Sequence, residues 1–345
     1  MRVRPGRGRR GRSWQRDPRA PRRRFQHDDD SVGRPGVSAT VPVVYFAYRR
    51  ADLVVRTLAA LRANGVRLIH AFSDGARDSG DEADVAEVRR VLRSVDWADL
   101  RLVERPANLG IHGVEAGIVR GITETLALHD EVVVCEDDIE LAPGSYEYFV
   151  AALERYRSEP RVMTISGWTH PRVTPDDAHD APHFTGRFFC WGWATWRRAW
   201  SGFPDASAAQ LRDRCAALGV DIGKYGNDVT ALFADPAAKP TWDYCFSLYM
   251  MLHDGLTLVP PRTMAAHIGY DLRASHPQDS TGWEDHPAPP PPTATIRWPE
   301  VREHPASAAL LRRSLDVPPR PSLVGRIRRR LASLIGARPD AETRT

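Results

Sequence analysis

The sequence predicts an α/β fold with a mainly parallel sheet flanked by helices. Three observations support this prediction: short apolar runs recur along residues 41–135, amphipathic segments separate them, and polar residues follow the end of each run. Continuous apolar runs are typical of strands covered on both faces, and strands that alternate with helices build parallel sheets. The chain has 345 residues and a hydrophobic content of 42%, which is enough for a large core.

The first half of the chain contains four predicted strands joined by three predicted helices. The strands are predicted over 41–48, 66–72, 100–104 and 131–135. Apolar stripes at helical spacing indicate the three helices, the first of which is predicted over 51–63. The stripes are Val54, Leu58 and Leu61 in the first helix, Val85, Val88 and Leu92 in the second, and Val114, Ile118, Ile122 and Leu126 in the third. Because ligands bind beyond the carboxyl ends of parallel strands, the polar residues that follow these strands predict a site at that edge.

The second half of the chain has a less regular pattern. A helix is predicted after Pro143 and Gly144 and another over 242–252. Further strands are predicted over 161–166, 186–193 and 256–259. Aromatic residues are densest over 191–200. The spacing of Trp193, Trp196 and Trp200 would bury one face of a helix.

Composition divides the chain into four predicted parts. They are a disordered Arg-rich arm (1–38), a folded domain (39–280), a Pro-rich extended segment (281–320), and a basic amphipathic helix with its tail (321–345). The formal net charge is +4, yet residues 1–30 hold eleven Arg and four Asp, so the remainder is slightly acidic and unsuited to general polyanion binding. The helix over 322–338 suits the surface of an anionic membrane, or packs on the domain as an ordinary helix.

Cysteine usage and hydropathy bear on the compartment. The four cysteines form no CxxC pair, and their spacing suggests neither a zinc site nor a disulfide framework. No apolar run reaches the length of about 18 residues that a membrane-spanning helix needs. A secretory signal has an apolar segment after its basic residues, and the basic N-terminal stretch of this chain is followed by none. A cytoplasmic protein, with possible peripheral contact at the inner face of the plasma membrane, is the expectation.

The fourth predicted strand runs directly into Glu136, Asp137 and Asp138. Adjacent carboxylates repel one another and resist desolvation, so a positive group is expected beside them. Mg²⁺ or Mn²⁺ takes one or two carboxylates and is completed by water and substrate phosphates. Side chains alternate in extended chain, which puts Glu136 and Asp138 on one side. The alternative is a polar strand end that caps the next helix.

Three segments carry a resemblance to glycosyltransferases. VVVCEDDIELAPGSYEYF (132–149) resembles the metal-binding segment of glycosyltransferases with the GT-A fold, especially the N-acetylglucosaminyltransferase I family. PANLGIHGVEAGIVRGI (106–122) is similar to the Asn-Leu-Gly segment of family 2 glycosyltransferases, and FCWGWATWRRAW (189–200) to a Trp-rich signature of bacterial sugar transferases in envelope clusters. The resemblance covers about residues 41–280 and implies the GT-A fold, a Rossmann-like, mainly parallel mixed sheet flanked by helices.

The resemblance implies roles for residues at the predicted site. Arg50 matches an arginine that contacts the nucleotide, and Asp74 an acidic residue that holds the base or ribose. Asp138 matches the metal-coordinating aspartate, while Glu136 and Asp137 match neighbours that contact the sugar or ribose.

Asp243, in KPTWDY, matches the catalytic aspartate of the family. Thr241 would cap the helix and put Asp243 in its first turn, where an inverting enzyme's general base would lie. An aspartate there is also favoured by the helix dipole alone. Asp228 and Asp254 are the reserve candidates for the base.

Several residues are candidates for further contacts. Those expected to contact the nucleotide sugar are Asn108, His112, Trp191 and Trp193. His267 stands in HIGYD where related enzymes often have asparagine, and either His267 or His276 is a candidate further metal ligand. Arg197 and Arg198 are expected on a solvated helix face, with phosphate contact as the alternative.

These features together predict a metal-dependent inverting glycosyltransferase. The expected donor is a UDP-sugar, such as UDP-N-acetylglucosamine or a similar hexose donor, and the expected acceptor a glycan or glycolipid hydroxyl in envelope or polysaccharide synthesis. One alternative is a nucleotidyltransferase, which usually has a Gly-rich phosphate loop where this chain has AYRRAD. Another is a nucleic-acid-binding protein that uses the basic arm, although the acidic strand edge argues against specific nucleic acid as a partner of the folded part.

Overall fold

A mixed eight-stranded sheet forms the centre of the protein. The computed structural model describes residues 40–234, 239–270 and 286–316. The strands in these residues are β1 Val43–Ala47, β2 Leu68–Ser73, β3 Asp99–Glu104, β4 Glu131–Glu136, β5 Ile139–Leu141, β6 Val162–Ser166, β7 His183–Thr185, β8 Trp193–Trp196, β9 Leu256–Val259 and β10 Ala265–His267. Their order in the large sheet is β3-β2-β1-β4-β8-β6-β9-β7, with β8 and β7 antiparallel to the rest, while β5 and β10 form a separate antiparallel ribbon.

Helices cover both faces of this sheet. In the described residues they are α1 Ala51–Ala63, α2 Glu82–Arg93, α3 Gly117–Leu126, α4 Ser145–Arg155, α5 Arg197–Trp200, α6 Ala208–Ala217, α7 Asn227–Ala234, α8 Trp242–Leu252 and α9 Ser307–Leu315. Side chains of α1, α2 and α4 pack on one face, and those of α3, α6 and α8 on the other. The predicted fold class, an α/β fold with a Rossmann-like, mainly parallel mixed sheet, is confirmed.

The parallel register of β1 to β4 brings their carboxyl ends to one edge. Ala47 lies opposite Ser73, Ser73 opposite Glu104, and Phe46 opposite Glu136. The residues that follow these strands therefore share one edge of the sheet, as the sequence predicts.

The Trp-rich stretch differs from both predictions made for it. Residues 186–192 are irregular rather than a strand, and Trp193–Trp196 forms β8 rather than the start of a helix. Trp193, Trp196 and Trp200 are all buried, because β8 lies between β4 and β6 in the middle of the sheet and α5 follows it directly. The helical spacing of these residues is thus produced by a strand and a short helix in series.

Arg198 lies in this stretch and is exposed, as is Arg197, in agreement with the predicted solvated helix face. Its guanidinium donates hydrogen bonds to the carbonyl oxygens of Tyr156, Arg157 and Val162, at 2.8–2.9 Å. Tyr156 and Arg157 immediately follow α4, so the cation satisfies carbonyl groups at the negative end of that helix. The guanidinium also lies over the ring of Trp196, 4.2 Å from its centroid. Arg198 therefore has a structural role.

The sequence predicts that the segment 281–320 is extended. Its described part instead contains the helix α9. Leu311 of this helix is buried, and Trp298 packs against Tyr148 and Tyr156 of the main core. Residues 286–292 have no helix or strand, as their prolines predict. The predicted arm (1–38) and most of the predicted C-terminal part (321–345), including the basic helix over 322–338, lie outside the described residues.

Two observations concern the compartment. Within the described ranges, no helix combines the length and apolar character required to cross a membrane. All four cysteines are free; Cys135, Cys215 and Cys245 are buried and Cys190 is half-buried.

Two buried histidines make stability depend on pH. Burial and the neighbouring His129 lower the pKa of His70 to about 4, and burial and His304 lower the pKa of His183 to about 4. An unfolded histidine has a pKa of about 6.5, so the unfolded chain binds more protons between these values, and the contribution to stability is complete above pH 6.5 and lost as pH falls towards 4.

We expect the free energy of unfolding in urea to fall between about pH 7.5 and about pH 5 by on the order of 1–2 kcal/mol for each histidine. His70→Phe and His183→Phe should each reduce that pH dependence. An unchanged pH dependence in the double variant would contradict the assignment.

Candidate active site

A cavity of about 560 Å³ opens at the carboxyl edge of β1 to β4. Eight of the nine residues predicted to bind the nucleotide sugar or the metal line it: Arg50, Asp74, Asn108, His112, Glu136, Asp137, Asp138 and Trp191. The ninth, Trp193, is fully buried in the core, where its ring stacks on Trp242. The structure therefore brings the strand-end residues together, and Trp193 is a packing residue.

Arg50 is the positive group beside the three carboxylates. It immediately precedes α1, and its Nη2 lies 2.7 Å from both Asp137 Oδ1 and Asp138 Oδ2. Asp137 also accepts a hydrogen bond of 3.0 Å from the backbone N–H of Tyr48. The segments that follow β1 and β4 are thus joined by charge, and the strands themselves by backbone pairing.

One guanidinium does not neutralise the whole cluster. Burial, followed by repulsion from Asp138, raises the pKa of Asp137 to about 6 despite the contact with Arg50. Burial raises the pKa of Glu136 more strongly, and the charges of Asp138, Asp137 and Asp243 add to the effect. The cavity therefore keeps an excess of carboxyl groups that favours a further cation.

The β5–β10 ribbon brings a distant segment against these carboxylates. His267 lies opposite Ile139 in the ribbon, and its Nε2 is 3.5 Å from Asp138 Oδ2. The N–H of Ile268 donates to the Asp138 carbonyl oxygen at 2.8 Å. Residues 267–270, which include His267 in place of the asparagine of related enzymes, thus contribute one wall of the cavity. His276 lies outside the described residues.

Asp74 and Asn108 form another part of the cavity wall. Asp74 Oδ2 accepts the N–H of Leu109 at 3.1 Å, while burial raises the pKa of Asp74. Asn108 Oδ1 accepts the N–H of Gly110 at 3.0 Å, so this side chain also shapes the turn after β3. The turn includes Gly110 at φ 69°, a left-handed conformation that favours glycine.

Sequence reasoning missed two groups of cavity residues. Phe46 and Phe72 stack with ring centroids 5.6 Å apart and give the cavity an apolar wall. Both residues lie near the carboxyl ends of predicted neighbouring strands, and this position could have identified them as cavity residues. Tyr48 and Arg77 also line the cavity, and both are hydrogen-bonded to the buried Asp81 at the start of α2. No local pattern in residues 73–81 distinguishes Asp81, because its partners come from two separate elements.

Asp243 lies in the first turn of α8, as predicted, but is not among the cavity-lining residues. It is half-buried, and burial raises its pKa while a hydrogen bond from the Thr241 hydroxyl and the charge of Arg187 oppose this. Arg187, also missed by sequence reasoning, makes a two-point ion pair with Asp228 at 2.7 and 3.2 Å. Asp243 is near enough to Glu136 to affect its titration.

The two reserve candidates for a base have different surroundings. The Asp228 carboxylate is held by Arg187 and by the hydroxyl of Tyr244. Asp254 lies beyond the end of α8 and just before β9, which places it at the opposite edge of the sheet; its side chain is 83% exposed and pairs with Arg161. Of the three aspartates, Asp243 is the one whose charge adds to the raised pKa of the cavity residue Glu136.

Comparisons with known proteins give only distant likenesses. No family model matches the sequence, and no curated protein matches it. A mannosyltransferase from Pyrobaculum calidifontis, solved with GDP-Man and Mn²⁺, is 16% identical with a TM-score of 0.37, covering 62% of this chain and 70% of that one.

Two other solved structures are similarly distant. A putative glucose-1-phosphate thymidylyltransferase from Bacillus anthracis, solved with sucrose, is 9% identical with a TM-score of 0.29, covering 47% of this chain and 74% of that one. The bifunctional glycosyltransferase WbbM is 10% identical with a TM-score of 0.32, covering 64% and 38%. Function therefore has to be argued from the side chains of this chain.

Gly269 provides a test of how closely the β10 wall fits the carboxylates. A Cβ at this residue would lie 2.6 Å from both Arg50 Nη1 and Asp138 Oδ2, inside van der Waals contact. UDP and Mn²⁺ are the ligands that the sequence resemblance predicts. We expect Gly269→Ala to require about tenfold more UDP, with Mn²⁺ present, for the same thermal stabilisation, because the arginine and the carboxylate must move apart.

Gly219→Ala is the matched control for this substitution. Gly219 has φ 65° and nothing within 4 Å of an added Cβ. Its replacement should cost about 1 kcal/mol of stability through backbone strain and leave UDP binding unchanged. Equal ligand responses in the two variants would show that Gly269 is not needed at the cavity.

Proposed function

We propose that this chain is a metal-dependent, inverting glycosyltransferase with the GT-A fold. In this proposal it moves a sugar from a nucleotide-diphosphate sugar, with a UDP-sugar as the expected donor, to a hydroxyl of a glycan or glycolipid in envelope or polysaccharide synthesis. The nucleotide, the sugar class and the acceptor class come from the sequence resemblance. A cytoplasmic location is part of the proposal and agrees with four free cysteines.

The observation that carries the proposal is the convergence of a carboxylate cluster and a cavity of nucleotide-sugar size at the carboxyl edge of the sheet. Small-molecule sites commonly have volumes of about 300–1,000 Å³, and this cavity has about 560 Å³. Its Phe46–Phe72 wall suits the flat face of a nucleobase, and Asp74 beside it suits the polar groups of the base or ribose.

The donor set beside Asp138 fits a hard divalent cation with few protein ligands. Asp138 Oδ2 and His267 Nε2 are 3.5 Å apart on the cavity wall and would hold Mn²⁺ or Mg²⁺ together. In the described part of the chain no group of three or more His, Cys, Asp or Glu is arranged as a complete metal site. Such cations bind through one or two protein groups when substrate phosphates and water supply the rest. A bound cation would stabilise the charge that develops on the leaving diphosphate.

The remaining chemistry belongs to side chains of the chain. Asp243 would accept the proton of the acceptor hydroxyl as its oxygen attacks the sugar carbon opposite the leaving group, which inverts that carbon. Arg50 would orient Asp137 and Asp138 and offset part of their charge beside the donor. Trp191, half-buried on the cavity wall and packed on Trp168, would offer an aromatic face to a sugar ring.

Nucleotidyl transfer has less support in this chain. The turn after β1 is Tyr48-Arg49-Arg50, without glycine, and its arginines pair with Asp81 and with the Asp137–Asp138 carboxylates. A phosphate loop usually presents backbone N–H groups from a Gly-rich turn at that position.

Donor binding is tested by thermal unfolding with UDP, GDP and their sugars, with and without Mn²⁺. We expect one nucleotide to stabilise the wild type only when the metal is present, because the metal links the carboxylates to the diphosphate. Asp138→Asn should abolish the shift, measured against the unfolding temperature of the same variant without ligand. No stabilisation of the wild type by any nucleotide or nucleotide sugar would refute donor binding.

The base is tested by Asp243→Asn, with Asp254→Asn as the matched control. Asn keeps the shape of Asp but accepts no proton, so we expect transfer or donor hydrolysis to fall by about 100-fold or more with donor affinity retained. Asp254 is exposed at the other edge of the sheet, and its variant should keep wild-type rates. An Asp243→Asn enzyme with wild-type kcat would remove Asp243 from the mechanism.

A further inference from the structure

Thr241 occupies the N-cap position of α8 but does not act as a cap. An N-cap threonine ordinarily accepts a hydrogen bond from an N–H group of the first turn. Here the side chain makes no capping bond, and its hydroxyl instead donates to Asp243 Oδ1. The backbone N–H groups of Asp243 and Tyr244 also act to lower the pKa of the Asp243 carboxyl. The Thr241 hydroxyl therefore donates to a side chain and accepts no N–H of the helix.

The backbone around Thr241 is fixed by the wall of the donor cavity. Gly113 N donates to Pro240 O at 2.9 Å, and Trp242 N donates to Ile111 O at 3.0 Å. His112 pairs with Thr241 as an isolated antiparallel bridge. Residues 239–242 and 111–113 thus form a short two-stranded contact, which we call the 111–242 bridge.

The bridge joins two parts of the site that are far apart in sequence. On one side, Ile111 and His112 line the cavity; His112 Nδ1 is also 2.9 Å from the Lys239 carbonyl oxygen. On the other side, Trp242 is buried and stacks on Trp193 in the core. Thr241 is therefore held between the donor cavity and the hydrophobic core, with little freedom to move its hydroxyl away from Asp243.

We propose that Thr241 is a positioning residue for Asp243, which it holds through its hydroxyl at a place that the 111–242 bridge fixes relative to the donor. This inference rests on the proposed function. A hydrogen bond from Thr241 to one carboxylate oxygen sets the side-chain rotamer and leaves the other oxygen for the acceptor hydroxyl. In the transfer step, the acceptor O–H proton passes to that oxygen, the new C–O bond forms at the sugar carbon, and the bond to the diphosphate breaks with its electron pair on the departing nucleotide.

Electrostatics agree with this geometry. Burial raises the pKa of Asp243, while the Thr241 hydroxyl and the charge of Arg187 act in the opposite direction. A hydrogen bond to the ionised form favours that form, which is the one that accepts a proton. Removal of the hydroxyl should therefore make Asp243 harder to ionise as well as less ordered.

The test compares Thr241→Val, which removes the hydroxyl and keeps the shape, with Thr241→Ser, which keeps the hydroxyl. Ser247→Ala is the matched control, because Ser247 lies in the same helix and donates to the Asp243 backbone carbonyl at 2.9 Å rather than to the carboxylate. The first readout is the titration of the Asp243 carboxyl carbon by NMR in the full chain, with Asp243→Asn used to assign its signal.

We expect the Asp243 carboxyl to titrate at higher pH in Thr241→Val than in the wild type. In Thr241→Ser and Ser247→Ala it should titrate at the same pH as in the wild type. The second readout is the pH profile of UDP release from UDP-N-acetylglucosamine with Mn²⁺, alongside thermal stabilisation by UDP. Thr241→Val should lower kcat by about tenfold to 100-fold, move the acid limb to higher pH, and leave UDP binding unchanged.

The two readouts separate the failure of the inference from the failure of the proposed function. If the Asp243 carboxyl of the Thr241→Val variant titrates at the same pH as in the wild type, the positioning role is overturned, whatever the activity is. A wild type that neither binds UDP nor releases it from a UDP-sugar would overturn the proposed function, and with it the catalytic meaning of the Thr241–Asp243 contact.

Discussion

The guanidinium of Arg50 between Asp137 and Asp138 is the interaction on which the site depends. The adjacent carboxyl groups, including Glu136, are drawn into a partly buried strand end, where without a cation their repulsion and desolvation would oppose folding. The same guanidinium lies 3.4 Å from the carbonyl oxygen of Gly269. It therefore joins the start of α1, the end of β4 and the segment after β10, and it sets the distance between the two walls of the cavity.

The first half of the fold, β1 to β4 with α1 to α3, follows closely from local sequence, whereas the rest does not. Apolar runs and helical stripes identify β1 to β4 and α1 to α3 because β1, β2 and β4 are buried on both faces and each helix on one. The edge strand β3 is only half-buried or exposed along its length. The Trp-rich stretch misleads because β8 is central and antiparallel, so Trp193 and Trp196 project from a strand and Trp200 from the helix after it. The contact of His267 with Asp138 depends on pairing between β5 and β10, which no local pattern specifies.

The surroundings of Asp243 act both on the start of α8 and on the charge of its carboxyl group. Near the start of α8, the backbone N–H groups of Asp243 and Tyr244 act to lower the pKa of its carboxyl. The same N–H groups and the Thr241 hydroxyl favour the charged form that a base requires, while burial opposes it. Because the backbone of Thr241 is paired with the cavity wall, the orientation of the carboxylate is linked to a segment that lines the cavity.

The insertion of β8 beside β4 has a consequence for how the chain is made. The strands β1 to β4 are complete when Glu136 has been synthesised, but the partner on the open side of β4 begins only at Trp193. At about 5–20 residues per second, the ribosome needs roughly 3–12 seconds to supply it. During that interval β4 presents an apolar edge with unpaired N–H and C=O groups, the kind of surface that chaperones protect from association.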